Sequence, residues 1–345
     1  MIDLRSDTIT LPTEGMMLAI SVAKLGDDVL DEDPTVHELE KISAELTGKE
    51  SALLVPSGTM ANLTAILAHC DRGDEVILGD QAHTFLYEAG GISSLGGIHS
   101  HQLKNQDDGT LTLDDITKSI RTENIHFPIT RLICLENTHN RCYGFPLNLD
   151  YLKAVKSIVD ENALKLHVDG ARLFNAAVAL GISVKELCDP VDSTTFCLSK
   201  GLSAPIGSLV CGDTDFIYKA KRLRKVLGGG MRQAGILAAA GIEALETMVD
   251  RLALDHQHAK ILADGLSSVN GLHCNPELVP TNIVYFILER ENITGQEFVS
   301  IMAKNGIQFF ELSPKRFRLV THAGIEEKDI YKAIKIFQKA LHDKT

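Results

Sequence analysis

Two apolar runs in the middle of the sequence each end in a side chain that could act on a cofactor. Lys200 follows the run Phe196–Ser199, and Asp169 follows the run Leu164–Val168. Each run is typical of a buried strand, and in open α/β sheets ligands bind at the carboxyl ends of the strands. A lysine to form a Schiff base and an acid to protonate a pyridine nitrogen are the two groups that pyridoxal phosphate (PLP) requires. For Lys200 taken alone, a surface lysine after a buried strand explains the pattern equally well.

A strand-to-helix junction upstream of these runs could bind a phosphate group. Ser57, Gly58 and Thr59 leave an apolar segment and lead into a helical pattern. Glycine allows the backbone to approach a phosphate closely, and the N-terminus of a helix offers free N–H groups and a positive dipole end. The alternative is that Ser57 or Thr59 only caps the helix. The acid and the lysine predicted at the same sheet edge favour the phosphate.

Arg232 is a second candidate for the phosphate. It follows the triple glycine Gly228–Gly230. Three glycines before a helix form a flexible turn that allows close approach and presents the arginine beyond it. The residue types alone are equally consistent with a solvated arginine at the start of a helix.

Two histidines lie where an imidazole could act on a cofactor or a substrate. His83 follows a predicted strand and a turn, near the same sheet edge, where it could stack on a ring or transfer protons. His126 lies in a loop before a predicted strand, two residues ahead of Pro128. No pair of histidines and no His/Cys cluster has the spacing of metal ligands, and we predict no metal site.

The composition restricts the class of protein. A net charge of −12 and a pI near 5.5 provide no basic surface for nucleic acid. No apolar stretch approaches the roughly 20 residues that span a bilayer, and the first residues do not resemble a secretory signal. The seven cysteines are dispersed and form no C-x-x-C pair. We therefore expect a reduced, cytoplasmic protein whose partner is a small molecule rather than a nucleic acid or a membrane.

The middle of the sequence alternates β-rich runs with amphipathic stretches of helical period. This alternation is typical of a mostly parallel sheet with helices on both faces. We predict seven strands, at Ala52–Pro56, Glu75–Leu78, Ile98–Leu103, Arg131–Leu135, Leu164–Val168, Thr194–Leu198 and Ser208–Cys211. Helices are predicted between most of them, for example at Met60–Cys70, Leu113–Arg121 and Leu149–Asp160.

The last third of the sequence has a different pattern. One long helix is predicted from Gln233 to about Leu266. Beyond it we predict a smaller α+β domain, with elements at Ile283–Leu288 (strand), Gly295–Lys304 (helix), Gln308–Glu311 (strand), Phe317–Val320 (strand) and Lys328–His342 (helix). We divide the chain into an N-terminal arm (1–28) associated with the small domain and the active site, a large cofactor-binding domain (29–245) and a small C-terminal domain (246–345).

Taken together, these motifs resemble those of the low-specificity L-threonine aldolases. The resemblance covers nearly the whole chain in the family's order, through Asp3–Thr8, Gly26–Asp28, Ser57–Thr59, His83, Glu136–Asn140, His167–Arg172, Leu198–Gly201, Gly228–Gln233 and Arg318–His322. It implies a fold-type I PLP-dependent enzyme, with the aspartate aminotransferase architecture of a seven-stranded, mostly parallel sheet and a small α+β domain. The stretch Glu311–Phe317 departs from the family pattern and leaves the rim of the substrate pocket undefined.

The resemblance also implies a role for each candidate residue. Lys200 would form the Schiff base with PLP, Asp169 would pair with the pyridine nitrogen, and His83 would stack on the ring. The phosphate would be held by Ser57, Gly58, Thr59 and Arg232, the last from a neighbouring subunit. The substrate carboxylate would be bound by Ser6, Arg172 and Arg318, of which Arg172 also lies among the cofactor-binding residues.

The implied reaction is retro-aldol cleavage of L-threonine or L-allo-threonine to glycine and acetaldehyde. His83 and His126 are both candidates for contacting the β-hydroxyl group, and the sequence does not decide between them. The family resemblance implies a homotetramer, a dimer of dimers with shared active sites. Two alternatives remain: another PLP reaction, such as transamination or serine hydroxymethyl transfer, and a nucleotide-binding regulator. The latter should carry a G-x-G-x-x-G fingerprint, which the junction at Ser57–Thr59 lacks.

Overall fold

The computed structural model describes residues 1–342 of the chain. Its strands are β1 (Ile2–Asp3), β2 (Ser51–Val55), β3 (Glu75–Gly79), β4 (His99–Leu103), β5 (Thr130–Glu136), β6 (Lys165–Gly170), β7 (Ser193–Cys197), β8 (Ser208–Gly212), β9 (Leu272–His273), β10 (Ile283–Leu288), β11 (Ile307–Gln308), β12 (Phe310–Ser313) and β13 (Arg316–Val320). Its helices are α1 (Glu14–Val22), α2 (Pro34–Thr47), α3 (Gly58–His69), α4 (His83–Leu86), α5 (Gly91–Ser94), α6 (Leu113–Ser119), α7 (Leu149–Glu161), α8 (Leu173–Leu180), α9 (Val184–Cys188), α10 (Thr214–Val226), α11 (Gly235–Thr247), α12 (Leu252–Ser267), α13 (Gly295–Lys304) and α14 (Glu327–His342).

The large sheet contains the seven predicted strands. Their order is β2-β8-β7-β6-β5-β3-β4, and β8 runs antiparallel to both of its neighbours while the other pairs are parallel. Each observed strand ends within two residues of its predicted limits. The predicted fold class is confirmed.

Helices cover both faces of this sheet, as β2 illustrates. Leu54 packs into the core on one face, which α2, α7 and α8 cover, whereas Leu53 and Val55 pack with α3 and α10 on the other. Successive side chains of a strand point to opposite faces, so each face needs its own apolar layer. This is why the buried strands read as nearly continuous apolar runs in the sequence.

The small domain has a second core. Its antiparallel sheet has the order β12-β13-β10-β9 and is covered by α12, α13 and α14. The core is built around five phenylalanine rings whose contacting centroids lie 5.0 to 6.3 Å apart, at Phe286, Phe298, Phe309, Phe317 and Phe337. Such edge-to-face and stacked contacts add to the stabilisation from apolar burial.

The N-terminal arm contacts both cores. Strand β1 pairs in parallel with β11, with Ile2 opposite Ile307, and Leu4 is buried in the core of the small domain. Helix α1 instead packs against α11, and Met16 lies in the core beneath the large sheet. The arm therefore crosses from one core to the other, and residues 5–13 connect them.

Two predicted elements differ from the structure. The single helix predicted from Gln233 to Leu266 is two helices, α11 and α12, and an ion pair between Arg251 and Asp255 at 2.7 Å holds the first turn of the second. The strand predicted at Gln308–Glu311 is also divided. Its first part pairs with the arm and its second with β13, and Phe309 between them turns into the core.

No helix within residues 1–342 combines the length and apolar character needed to cross a membrane.

Candidate active site

One cavity, of about 260 Å³, brings together residues that lie far apart in the sequence. The N-terminal arm, the loops that follow strands of the large sheet, and the small domain all contribute to its walls. Five of the predicted site residues line it: Ser6, His83, Arg172, Lys200 and Arg318. The cavity is therefore the meeting point of the two cores and the arm.

Asp169 and Lys200 lie at the same edge of the large sheet, as predicted, and the two strands that lead to them, β6 and β7, are parallel neighbours. Asp169 is the penultimate residue of β6, opposite Thr195 of β7, and Lys200 comes three residues after the end of β7. The Asp169 carboxylate is buried and accepts hydrogen bonds from the Ala171 N–H at 3.0 Å and the Asn62 side chain at 2.8 Å. Lys200 Nζ has no hydrogen bond or ion pair within residues 1–342 and is available to a ligand in the cavity.

The junction at Ser57–Thr59 combines both functions considered for it. Ser57 is the N-cap of α3, and its side chain accepts the Met60 N–H at 3.2 Å. The N–H groups of Gly58 and Thr59 have no hydrogen-bond partner among the described residues. A Cβ atom at Gly58 would lie 2.9 Å from the Cys197 sulfur at the end of β7, so a larger residue would force one of the two segments to shift. These free N–H groups at a helix N-terminus suit a phosphate.

His83 belongs to a hydrogen-bonded group that the sequence did not reveal. Its Nδ1 lies 2.8 Å from Glu88 Oε1. The side-chain amide of Asn62 donates to that same oxygen and to Asp169 Oδ2, both at 2.8 Å. Glu88 and Asn62 are buried, and a ring nitrogen of His83 lies within 4.8 Å of an Asp169 oxygen. Nothing in the local sequence distinguishes Glu88 from an ordinary helix-flanking acid.

Arg172 is held by Asp7. Its Nε and Nη2 atoms each donate to an oxygen of the Asp7 carboxylate at 2.7 Å, and neither side chain is exposed to a significant degree. Burial would raise the pKa of Asp7, but the Arg172 guanidinium holds that pKa well below the ordinary value. Asp7 therefore occupies two of the three nitrogens of Arg172, and the third, Nη1, makes only a longer hydrogen bond to Asn140 Oδ1 beside the cavity.

Arg318 has no carboxylate partner among the described residues. Its Nη1 donates to Asn140 Oδ1 at 2.7 Å and its Nη2 to the Arg5 carbonyl at 3.1 Å, while the buried Nε has no partner. Arg172 Nη1 lies 3.4 Å from the same Asn140 oxygen. Burial and the neighbouring Arg172 charge lower the pKa of Arg318 from its ordinary value, although an arginine stays charged. The pair therefore presents an uncompensated positive charge where a carboxylate could bind.

Six predicted site residues do not line this cavity within one chain: Ser57, Gly58, Thr59, Asp169, His126 and Arg232. The last two are exposed. His126 is exposed in the loop between α6 and β5, at the edge of the sheet where β5 begins, whereas Asp169 lies where β6 ends. Arg232 is more than half exposed, and its Nη1 lies 3.1 Å from Asp27. The expectation that His126 contacts the substrate is wrong for a single chain, because parallel strands separate the two edges by their full length. Arg232 likewise could reach a phosphate only in another copy.

Comparisons with known proteins identify the family. The model of the beta-eliminating lyases matches residues 3–289. A probable low-specificity L-threonine aldolase of Arabidopsis thaliana is 46% identical over 99% of this chain and 97% of its own length. The low specificity L-threonine aldolase of Escherichia coli K12 is 46% identical over 96% of each chain. The chain belongs to the threonine aldolases of the beta-eliminating lyase family.

A solved structure agrees with this family at the level of the fold. A putative L-allo-threonine aldolase from Listeria monocytogenes superimposes with a TM-score of 0.80 at 24% identity, over 96% of this chain and 95% of that one. The fold-type I architecture predicted from the resemblance is confirmed. Because the chain belongs to a family of enzymes, the alternative prediction of a nucleotide-binding regulator is not supported.

The stretch Glu311–Phe317, which departs from the threonine aldolase pattern, forms the hairpin of β12 and β13 beside the cavity. A bulge interrupts its register between Glu311 and Ser313, and Leu312 lines the cavity. The guanidinium of Arg316 lies 4.4 Å from the centre of the Tyr285 ring and so anchors the hairpin. The rim therefore carries a large aliphatic side chain, Leu312, among lining residues that are mostly of polar or charged type.

Proposed function

We propose that this chain cleaves L-threonine, L-allo-threonine and related β-hydroxy-α-amino acids into glycine and an aldehyde, with PLP as its cofactor. The observation that carries the proposal is the cavity that holds Lys200 together with two arginines, in a chain nearly half identical to named threonine aldolases. The lysine supplies the attachment for the cofactor. The arginines supply the charge for an amino-acid carboxylate.

The residues around the cavity fit PLP. Lys200 has a free amine, Asp169 has a buried carboxylate for the pyridine nitrogen, and Gly58 and Thr59 have free N–H groups for the phosphate. A ring nitrogen of His83 lies within 4.8 Å of an Asp169 oxygen, so His83 would lie beside the cofactor. When bound, PLP supplies a carbonyl carbon for attachment to amines and an electron-accepting ring. Arg232 would complete the phosphate site from a second copy.

The arginines select the bond that breaks. Arg318 would bind the substrate carboxylate by charge-assisted hydrogen bonds, with Arg172 Nη1 and Ser6 beside it. Fixing the carboxylate would fix the rotation about the N–Cα bond of the substrate, and so would determine which bond at Cα is presented for cleavage. Holding one reactive conformation is a large part of what enzymes contribute to such reactions.

The hydroxyl proton of the substrate needs a base. His83 lines the cavity and its Nε2 has no partner within residues 1–342, whereas its Nδ1 is bound to Glu88. His83 Nε2 is thus the atom we assign to that proton. His126 stays a candidate only as a residue contributed by another copy.

A homotetramer built from dimers that share active sites completes the proposal. It is supported by Arg232 and His126, which do not reach the cavity of their own chain, and by apolar side chains exposed on the arm and the loop before β5, including Leu11 at 81% and Ile125 at 98%. Several large apolar side chains exposed within two short segments are what a contact surface with another copy would carry. We also infer a cytoplasmic location, supported by seven free, buried cysteines.

The test is direct. The full-length protein is incubated with PLP and either L-threonine or L-allo-threonine, and acetaldehyde is followed by coupled reduction with NADH. We expect turnover of at least one diastereomer, no turnover by the Lys200→Ala variant, and no requirement for a keto acid or a folate. Absence of acetaldehyde and glycine from both substrates would overturn the proposed function.

A further inference from the structure

Within residues 1–342, only one of the two ring nitrogens of His83 has a hydrogen-bond partner, and the ring also lies 5.5 Å from the Tyr87 ring. Glu88 Oε1 lies 2.8 Å from Nδ1, and the Glu88 side chain is 3% exposed whereas that of His83 is 32% exposed. The buried Glu88 carboxylate therefore contacts the inner nitrogen of a partly exposed imidazole ring. An ionised carboxylate only accepts hydrogen bonds, so Nδ1 carries the proton and Nε2 is the free, basic nitrogen.

The backbone around Glu88 is shaped to make this contact. The N–H of His83 donates to Glu136 Oε2 at 2.7 Å, which fixes the start of α4 at the end of β5. Directly after Glu88 the chain passes through Ala89 and Gly90, both in the left-handed region with φ of 53° and 66°. A left-handed alanine costs free energy, and it is retained where the surroundings require the turn. The contact between His83 and Glu88 therefore lies between an anchored helix start and a tight turn.

Asn62 joins this pair to Asp169. One amide group donates to Glu88 Oε1 and to Asp169 Oδ2, each at 2.8 Å, and its oxygen accepts the Thr195 hydroxyl at 3.0 Å. Both amide hydrogens are thus used on the two carboxylates. His83, Glu88 and Asp169 also have the spacing of a cation site, but the amide hydrogens of Asn62 point at the same oxygens that a cation would need. Through Glu88 and Asn62, the His83 imidazole and the Asp169 carboxylate are held in fixed positions relative to each other.

The carboxylates that face His83 all raise the pKa of its ring. Burial alone would lower its pKa, but the hydrogen bond to Glu88 and the carboxylates of Asp169 and Glu136 raise that pKa above the ordinary value. Burial and the Asp169 carboxylate raise the pKa of Glu88 as well, against the opposing hydrogen bonds from His83 and Asn62. Glu88 is the one acid among these that contacts the ring itself.

We propose that Glu88 is a positioning residue that fixes the tautomer and the orientation of His83, so that Nε2 faces the substrate hydroxyl, and that Asn62 links this setting to Asp169. The proposal rests on the proposed function, because it assigns His83 the role of base. Glu88 does not reach the reacting atoms. It acts through His83, as the orienting acid does in other acid–histidine pairs.

The decisive variant is Glu88→Gln, which keeps the shape and an acceptor but removes the charge. Its first readout needs no turnover. In the full-length chain, with and without PLP, the rate at which diethyl pyrocarbonate modifies His83 is measured against pH by peptide mass spectrometry, because only the neutral ring reacts. We expect the midpoint for His83 to move to lower pH by roughly one unit in Glu88→Gln.

The second readout is the pH profile of kcat/KM for acetaldehyde release. A base must be neutral to act, so the acidic limb should move to lower pH in Glu88→Gln together with the His83 midpoint, and kcat at its plateau should fall at least tenfold because the ring is less well oriented. Glu88→Asp retains the charge and should return the limb towards its original position. It also covers the case in which the glutamine variant fails to fold.

Glu40→Gln is the matched control, since Glu40 is a largely buried acid that accepts the Leu54 N–H and lies outside this group. It should leave the His83 midpoint and the acidic limb unchanged. An unshifted His83 midpoint in Glu88→Gln, or a shifted midpoint with an unchanged acidic limb, would overturn the proposal. A parent protein that produces no acetaldehyde would instead overturn the proposed function, and the shift in the modification midpoint would still be measurable.

Discussion

Arg172 and Asp7 form a two-pronged ion pair in which Nε and Nη2 of the arginine each lie 2.7 Å from a carboxylate oxygen. The acid comes from the arm and the arginine from the start of α8. Asn282 of the small domain also donates to Asp7, at 3.3 Å. The pair therefore ties the arm and the two cores together and sets the direction in which the remaining nitrogen of Arg172 points.

Replacing Asp7 with asparagine should damage both stability and substrate binding. It leaves a buried guanidinium without its counter-charge, which costs about 3 kcal/mol or more in the free energy of unfolding. Urea unfolding of the two proteins measures this cost. KM for threonine should also rise, because Arg172 loses its orientation. A variant as stable as the parent would show that the ion pair contributes nothing to stability.

The contribution of this pair should depend on pH. The pKa of Asp7 is lowered in the folded protein, so the stabilisation is fully present above the ordinary carboxyl pKa of about 4 and is lost as the pH falls below it. The difference in unfolding free energy between the parent and Asp7→Asn should therefore be constant near neutral pH and shrink in acid. A difference that stays constant down to the acid transition would contradict this assignment.

Arg318→Lys should weaken binding of the amino acid more than it slows the chemistry. Lysine cannot reproduce the arrangement in which Arg318 contacts Asn140 and the Arg5 carbonyl while facing the cavity. We expect KM to rise by about ten- to a hundredfold, equivalent to the loss of one charged hydrogen bond. Arg316→Lys is the matched control on the same strand, since Arg316 stacks on Tyr285 instead. Similar KM changes in both variants would argue against a specific role for Arg318.

Gly58→Ala should weaken binding of PLP. The added Cβ would lie 2.9 Å from the Cys197 sulfur, so the junction that offers its N–H groups must shift. The dissociation constant for PLP, followed by absorbance, should rise about tenfold, the effect of roughly 1.4 kcal/mol. Cys197→Ala removes the obstructing sulfur, so the double variant should recover most of the affinity. Equal losses in the single and double variants would rule out this contact as the cause.

Leu312→Ala should widen the choice of substrate. Leu312 is the aliphatic part of the rim, and its removal leaves room for a larger group on the β-carbon. The ratio of kcat/KM for β-phenylserine to that for threonine should rise by several-fold, within the range that a few methylene groups provide. Both substrates are compared by aldehyde release. A fall in that ratio would mean that Leu312 contacts the larger substrate favourably.

The sequence allowed prediction of those features that depend only on neighbouring residues in the chain. Strands buried on both faces read as apolar runs with polar ends, and this is why the positions of Asp169 and Lys200 at one sheet edge could be inferred. Glu88 and Asp7 could not be recognised, because each acquires its role from a partner that only the fold brings near. Asp7 lies within a motif used for the resemblance, yet the pairing with Arg172 spans 165 positions.

His126 shows the opposite case. The family resemblance implied a site role for this residue, but a loop that precedes a parallel strand lies at the opposite edge of the sheet from the cavity of its own chain. A sequence motif does not indicate whether a residue contributes to the cavity of its own chain or to that of another copy. The division of the long predicted helix into α11 and α12 was missed for a related reason, since both halves are helical and only their packing against different cores separates them.

Arg172 and Arg318 are each positioned by a different hydrophobic core. Arg172 precedes Leu173 in the core beneath the large sheet, whereas Arg318 lies between Phe317 and Leu319 of the small-domain core. A substrate carboxylate bound to both arginines would therefore join the core of the large sheet to the core of the small domain. Glycine, the product, keeps that carboxylate after the aldehyde has left. We therefore expect glycine to leave the cavity only after its contacts with the arginine of one of the two cores have broken.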